Sequence, residues 1–190
     1  ACTSATTALH LAMAALEIKA GDEVIVPAFT WVSTANVVEY MGATPVFVDI
    51  DLSTFNLDPS CLKAKISEKT KAIIAVHLFG LCADMDQIKE VAGDIPIVED
   101  AACAAGAQYK GTYAGALGAI GCFSFHPRKS ITTGEGGMVT SQEDKYGDRI
   151  GMMRNHGASI SEEQRHHGAQ PFILPEFNLL GYNYRMTDLQ

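Results

Sequence analysis

Apolar positions along the chain switch repeatedly between two periods. Ala5, Ala8, Leu9, Ala12, Met13 and Leu16 keep the spacing of one helix face, with Thr3 or Ser4 able to cap the start and Gly21 ending the segment. Val24-Ile25-Val26 then reads as a short buried strand stopped by Pro27. A helix follows over 30–41, ended by Gly42, and Pro45-Val46-Phe47-Val48 is the next strand. The rhythm continues with a short helix over 62–66, a strand over 72–76 and a helix over 85–92. A strand over 95–98 runs into Glu99-Asp100, another lies within 118–125, and Met138-Val139-Thr140 is the last. Pro96 fits only at the first residues of its strand. Residues 144–154 are helical, the polar stretch 157–170 is a loop, and 181–190 reads as the start of a further element. Apolar strand runs alternating with helices predict an α/β fold with a largely parallel sheet. In such sheets ligands collect at the carboxyl ends of the strands.

Composition narrows the function classes. With 47% hydrophobic and 19% charged residues, the 190-residue chain can bury a core, which excludes disorder. Lys and Arg number 14 against 22 Asp and Glu, and the net charge of −8 comes with no basic run, which argues against nucleic acid as a partner. The uncharged stretches 24–38 and 111–127 are too short and too interrupted by polar residues, Gly or Pro for a membrane span. No charged-then-apolar leader precedes the first helix, so the expectation is a cytoplasmic protein. Five cysteines without a CxxC pattern, in apolar or small-residue settings, read as reduced and buried. The six histidines are scattered, with His166-His167 in the polar loop, and no metal site is expected.

Four features fall at predicted strand ends or helix starts. Asp100 directly follows an apolar strand. Lys129 lies between a strand and the turn Gly134-Glu135-Gly136-Gly137, whose small residues leave room for a ligand. Ser4-Ala5-Thr6 opens a helix, where free N–H groups and the helix dipole favour an anion. Trp31, the single tryptophan, follows the first strand. Each alone has an ordinary reading: a helix cap, a solvated amine, an N-cap, a core aromatic. Together they supply a carboxylate, an amine nucleophile, an anion cradle and a flat ring. These are the groups that pyridoxal phosphate (PLP) needs for its pyridinium nitrogen, aldehyde, phosphate and ring face.

From Thr3-Ser4-Ala5-Thr6-Thr7 to Gly181-Tyr182-Asn183-Tyr184-Arg185-Met186, the chain resembles the DegT/DnrJ/EryC1/StrS sugar aminotransferases. The resemblance runs through Gly21-Asp22-Glu23-Val24-Ile25-Val26-Pro27, Val76-His77-Leu78-Phe79-Gly80, Val98-Glu99-Asp100-Ala101-Ala102 and Ser124-Phe125-His126-Pro127-Arg128-Lys129. It implies the three-layer αβα large domain of a fold type I PLP-dependent transferase. It also implies transamination of a nucleotide-linked keto-sugar with glutamate as donor. By resemblance Lys129 is the Schiff-base lysine and acid/base, Asp100 the partner of the pyridinium nitrogen, and Trp31 the residue stacked on the ring. Ala5, Thr6 and Ser124 would hold the phosphate. Asn183 would reach the phosphate in the neighbouring subunit of a homodimer. Ala5 stands where the family usually has Gly, Cys103 where it has Gln or His beside the cofactor ring, and Ala105 where His is frequent. Arg128 and Arg185 are candidates for the substrate's phosphates. Two other readings are a sugar dehydratase, disfavoured because dehydratases of the family typically carry His in place of Lys129, and a cofactor-binding regulatory protein on the same fold. Against the family pattern, residues 1–190 are expected to be most of the large domain, lacking an N-terminal segment and the small C-terminal domain, and to be inactive alone.

Overall fold

The computed structural model describes residues 1–160, 167–168 and 172–190; much of the predicted polar loop, including His166, lies outside the described residues. The first helix, α1 (Ala5–Ala15), begins where the apolar period begins. Ser4 caps it: its Oγ accepts the Thr7 N–H at 3.1 Å, and Thr7 Oγ1 accepts the Ser4 N–H at 3.0 Å, a reciprocal capping box. The remaining helices are α2 (Ser33–Tyr40), α3 (Pro59–Leu62), α4 (Met85–Ala92) and α5 (Asp144–Met153). The strands are β1 (Glu23–Pro27), β2 (Thr44–Val48), β3 (Thr70–Val76), β4 (Ile97–Asp100), β5 (Gln108–Tyr109), β6 (Thr112–Tyr113), β7 (Ile120–Ser124) and β8 (Gly137–Thr140).

Six strands form one sheet in the order β2-β1-β3-β4-β7-β8. All neighbours are parallel except β8, which closes the edge antiparallel to β7. Alternate strand residues bury on opposite faces, as a two-residue period requires. Val24, Val26, Ala72, Ile74 and Ile120 pack under Leu9 and Met13 of α1, Val37 of α2 and Ile150 of α5. Ile25, Ile73, Ala75 and Ile97 pack on the other face against Leu62, Met85 and Ile88. The result is the expected αβα sandwich, with each large buried aliphatic side chain contributing about 1.5–3 kcal/mol.

The elements depart from expectation at identifiable points. Helix α2 starts at Ser33, not at residue 30: its N-cap Val32 offers no side-chain acceptor, and Thr30 and Trp31 remain outside it. Helix α3 starts earlier, because Asp58 Oδ1 accepts the Ser60 N–H at 2.8 Å and Pro59 suits the first turn; the chain then tightens into a 3₁₀ turn at Lys63–Lys65. Pro96 precedes β4, where its carbonyl accepts the Ile73 N–H at 3.1 Å. The hairpin β5–β6 was not anticipated; Lys110 and Gly111, with φ of 50° and 86°, make its two-residue turn. Residues 181–190 form no helix, and a turn closes at Gln190 N–H to the Thr187 carbonyl, 3.1 Å.

The glycine-rich turn packs closely at its end, while its Glu135 lines the cavity described below. Cys2 and Gly137 exchange two backbone hydrogen bonds of 2.8 and 2.7 Å, which tie the chain before α1 to β8. A Cβ on Gly137 would lie 2.4 Å from the Ser4 carbonyl carbon and oxygen. Only glycine lets the sheet edge abut the start of α1 this closely.

Candidate active site

The strand order reverses between β1 and β3, and the residues leaving the carboxyl ends of β1, β3, β4 and β7 surround a cavity of about 470 Å³. Ala5, Thr6, Trp31, Asp100, Cys103, Ser124 and Lys129 all line it, as does Arg128. Asn183 does not; it is exposed on the segment after Gly181, in backbone pairing with Asn155. Arg185 also lies elsewhere, donating to Asn155 Oδ1.

Asp100 ends β4 and is 5% exposed. Its Oδ2 accepts the Thr34 hydroxyl at 2.9 Å and its Oδ1 the Ala102 N–H at 3.2 Å, both neutral donors. Burial pushes its pKa up; the two hydrogen bonds and the more distant Lys129 charge oppose that without reversing it. No ion pair to Asp100 occurs among the described residues. A carboxylate in this setting is stabilised by a cationic donor arriving from the cavity.

Lys129 sits on the turn after β7, with its N–H donating to the His126 carbonyl at 2.9 Å. Its Nζ donates to Cys103 Sγ at 2.9 Å. The N-terminus of α1 lines the same cavity. Thr7 N–H is used by Ser4 Oγ and Ala8 N–H by the Ser4 carbonyl, whereas the Ala5 and Thr6 amides have no acceptor among the described residues. Two free amides at the positive end of an eleven-residue helix suit a phosphate, and Thr6 and Ser124, both hydroxyl residues, line the same cavity. Trp31 is 70% exposed and faces this space, so its role is not core packing.

The cysteines are all free, but not all buried: Cys2 and Cys122 are, Cys61 and Cys82 are half-buried, and Cys103 is exposed into the cavity. The partner of Lys129 is thus a residue that was expected inside.

Sequence reasoning missed three groups. Thr34 was hidden because its contact to Asp100 spans 66 positions; Thr30 Oγ1 in turn lies 3.0 Å from Thr34 Oγ1. His77 and Glu99, both 0% exposed, form the other two. His77 Nδ1 accepts the Ala83 N–H at 3.1 Å, which fixes the proton on Nε2, and Nε2 donates to Glu99 Oε2 at 2.9 Å. Glu99 also accepts the amides of Gly115, Leu117 and Gly118 at 2.7, 2.8 and 2.6 Å. Burial raises the Glu99 pKa, but the hydrogen bonds from His77, Gly118 and Gly115 outweigh it and hold the carboxyl below its ordinary value. This knot ties β3, β4 and the 115–118 turn directly behind Asp100.

Replacing Glu99 with Ala strands one imidazole N–H and three amides in the core. The expected cost is about 3–5 kcal/mol, read as a lower denaturant midpoint in the full-length protein. The lowered pKa fixes the sign of the pH effect. The stability Glu99 contributes is present above the ordinary glutamate range and is lost as pH falls through the depressed value. A loss below 1 kcal/mol would show that the knot is not structural.

Among known proteins, a model described as the DegT/DnrJ/EryC1/StrS aminotransferase family matches residues 1–190. The chain is 47% identical over 192 residues to GDP-perosamine synthase of Caulobacter vibrioides, covering 100% of this chain and 49% of that protein. An aminotransferase structure from Psychrobacter cryohalolentis superposes with a TM-score of 0.92 at 39% identity, covering 99% of this chain and 48% of the other. The PLP form of Spr1654 from Streptococcus pneumoniae gives 0.87 at 34% identity, covering 99% and 51%. The chain spans about half the length of the curated relatives it matches.

Proposed function

The chain belongs to the DegT/DnrJ/EryC1/StrS aminotransferase family, and from that premise we propose that the full-length protein is a PLP-dependent sugar aminotransferase. It takes an amino group from glutamate and places it on a nucleotide-linked keto-sugar, in the making of an amino sugar. The observation that carries this reading is one cavity that opens on a lysine amine, a buried carboxylate with no ion pair among the described residues and a helix N-terminus whose first amides have no acceptor among them.

The donor set fits PLP group by group. The Ala5 and Thr6 amides with the Thr6 and Ser124 hydroxyls suit a phosphate dianion. Asp100 suits a protonated ring nitrogen, the missing cation of its site. Trp31 offers a flat face for the ring, and Lys129 an amine for the aldehyde. When bound, PLP supplies that aldehyde and a ring that accepts the electron pair left when a C–H bond breaks.

The residues then divide the work. Lys129, on the turn after β7, reaches the cavity with a primary amine that can form a covalent bond to a carbonyl carbon and, once released, carry a proton from one substrate carbon to the next. Asp100, fixed by Thr34 and the Ala102 amide, would favour a proton on a ring nitrogen placed beside it. The Glu99–His77 knot keeps the end of β4 from moving as that charge is neutralised. Trp31 lines the cavity and would keep water from one face of a ring bound there.

We read residues 1–190 as most of the large cofactor-binding domain of a homodimer, with Asn183 reaching the partner's site from the surface on which it is exposed. No helix among the described residues is long and apolar enough to cross a membrane; a cytoplasmic location is part of the proposal. The test is incubation of the full-length protein with PLP, glutamate and a panel of nucleotide-linked keto-sugars, read by product mass. GDP-perosamine, the product named in the Caulobacter relative, is the first candidate. Loss of water from the sugar without amine gain would replace transamination by dehydration.

A further inference from the structure

Cys103 is set apart from the other four cysteines. Burial pushes the Cys2, Cys82 and Cys122 thiols up, Cys122 the furthest, so their reactive thiolate forms are suppressed. Cys61 Sγ is engaged elsewhere, donating to the Asp58 carboxylate at 3.6 Å. Cys103 opens into the cavity and its sulfur accepts a hydrogen bond from the Lys129 amine. It is 26 positions from Lys129, yet the loop after β4 and the turn after β7 bring sulfur and nitrogen to 2.9 Å. The backbone behind Cys103 is packed too: a Cβ on Gly80 would stand 3.3 Å from the Cys103 carbonyl oxygen. The two side chains therefore meet from two separately anchored segments.

We propose that Cys103 and Lys129 form a peroxide-sensitive couple in which oxidation of the thiol locks the amine into a reversible sulfur–nitrogen cross-link. In the first step the Cys103 sulfur attacks hydrogen peroxide. The O–O bond breaks, sulfur gives up two electrons, and the thiol becomes a sulfenic acid with release of one water. In the second step the unprotonated Lys129 amine attacks that sulfur. The S–N bond forms, the S–O bond breaks, and the hydroxyl leaves with an amine proton as a second water. The second step transfers no electrons to an external acceptor. A small thiol reverses the lock by attacking the sulfur, with the amine recovering its proton and the Cys103 thiol regenerated by a second thiol. The chemistry matches known condensation of sulfenic acids with nitrogen, here with a side-chain amine already in contact.

The cross-link removes the amine on which PLP attachment depends. That consequence rests on the reading of Lys129 given above, whereas the cross-link itself does not. The experiment treats full-length, cofactor-free protein with hydrogen peroxide, digests it without reductant and maps the peptides by mass. The expected product is a linked pair containing Cys103 and Lys129, two hydrogens lighter than the sum of its parts and absent after dithiothreitol. Lys129→Ala should give no linked pair, and its Cys103 should instead be captured by dimedone, a sulfenic-acid reagent. PLP loaded beforehand should prevent the link. Dimedone capture at Cys103 in the unaltered protein as complete as in Lys129→Ala, with no linked pair, overturns the proposal. So does a Cys103 that peroxide leaves unchanged. Borohydride trapping of PLP on untreated protein tests the reading of Lys129 separately. A cross-link in a protein that never captures PLP would leave the couple standing and remove that reading.

Discussion

Replacing Lys129 with alanine in the full-length protein is expected to abolish amine transfer, lowering kcat/KM by at least about 10³-fold. In the proposed reaction the amine has two roles: it bonds to the cofactor's aldehyde and it carries the proton between carbons. Among the described residues, the other Lys or Arg lining the cavity is Arg128, whose guanidinium does not deprotonate and so cannot be the nucleophile. For the same reason Lys129→Arg should be as inactive as the alanine variant, which separates nucleophilicity from charge. Neither change should unfold the protein, because Lys129 lies on a turn and its side chain makes one hydrogen bond among the described residues, to Cys103. Borohydride reduction after PLP loading should attach cofactor at residue 129 in the unaltered protein and nowhere in the two variants. Turnover within about tenfold of the unaltered protein would remove Lys129 from the chemistry.

The sheet and the main helices were legible because their apolar periods are unbroken. Helix α4 matches its expected span, and β1 and β3 contain theirs, since Val24-Ile25-Val26 and Ala72-Ile73-Ile74-Ala75-Val76 are buried on both faces. Seven of the eight proposed site residues line one cavity because they sit at strand ends or at the start of α1, where topology gathers them whatever their spacing in sequence. What could not be read was pairing across strands. Glu99 looks like a misplaced charge in an apolar run until β3 brings His77 beside it, with Ala75 in register with Glu99. Thr34 looks like any helical threonine until its hydroxyl meets Asp100. The start of α2 was missed for a related reason: Thr30 and Trp31 have helical neighbours in sequence but border the cavity. Small-residue surroundings made Cys103 look buried, whereas the family resemblance set it beside the cofactor; the surroundings say nothing about which way a loop faces, and the structure puts it in the cavity lining.

Asp100→Asn should separate stability from catalysis, and in opposite directions. In the cofactor-free protein, burial raises the Asp100 pKa above its ordinary value. For such a group the favourable contribution is fully present below the unfolded pKa and is lost as pH rises through the folded value. An asparagine of nearly the same shape never ionises, so the variant should be the more stable protein above that window and gain nothing below it. The advantage is bounded by the rearrangement the new amide needs: its oxygen can accept the Ala102 N–H, while its NH2 must face the Thr34 hydroxyl, which then has to accept rather than donate. In the loaded enzyme the sign inverts. A ring nitrogen placed at the cavity wall loses its anionic partner, keeps its proton less well and accepts electrons poorly, so kcat should fall by about 10²–10³-fold. Thr34→Val, which keeps the carboxylate but removes one of its donors, should fall less, by about tenfold. Thermal unfolding of the cofactor-free variants across pH, set beside turnover of the loaded ones, reads both halves. A variant at residue 100 with the stability profile of the unaltered protein would mean that the carboxylate is not penalised by burial. Full turnover in that variant would mean that no cation meets it.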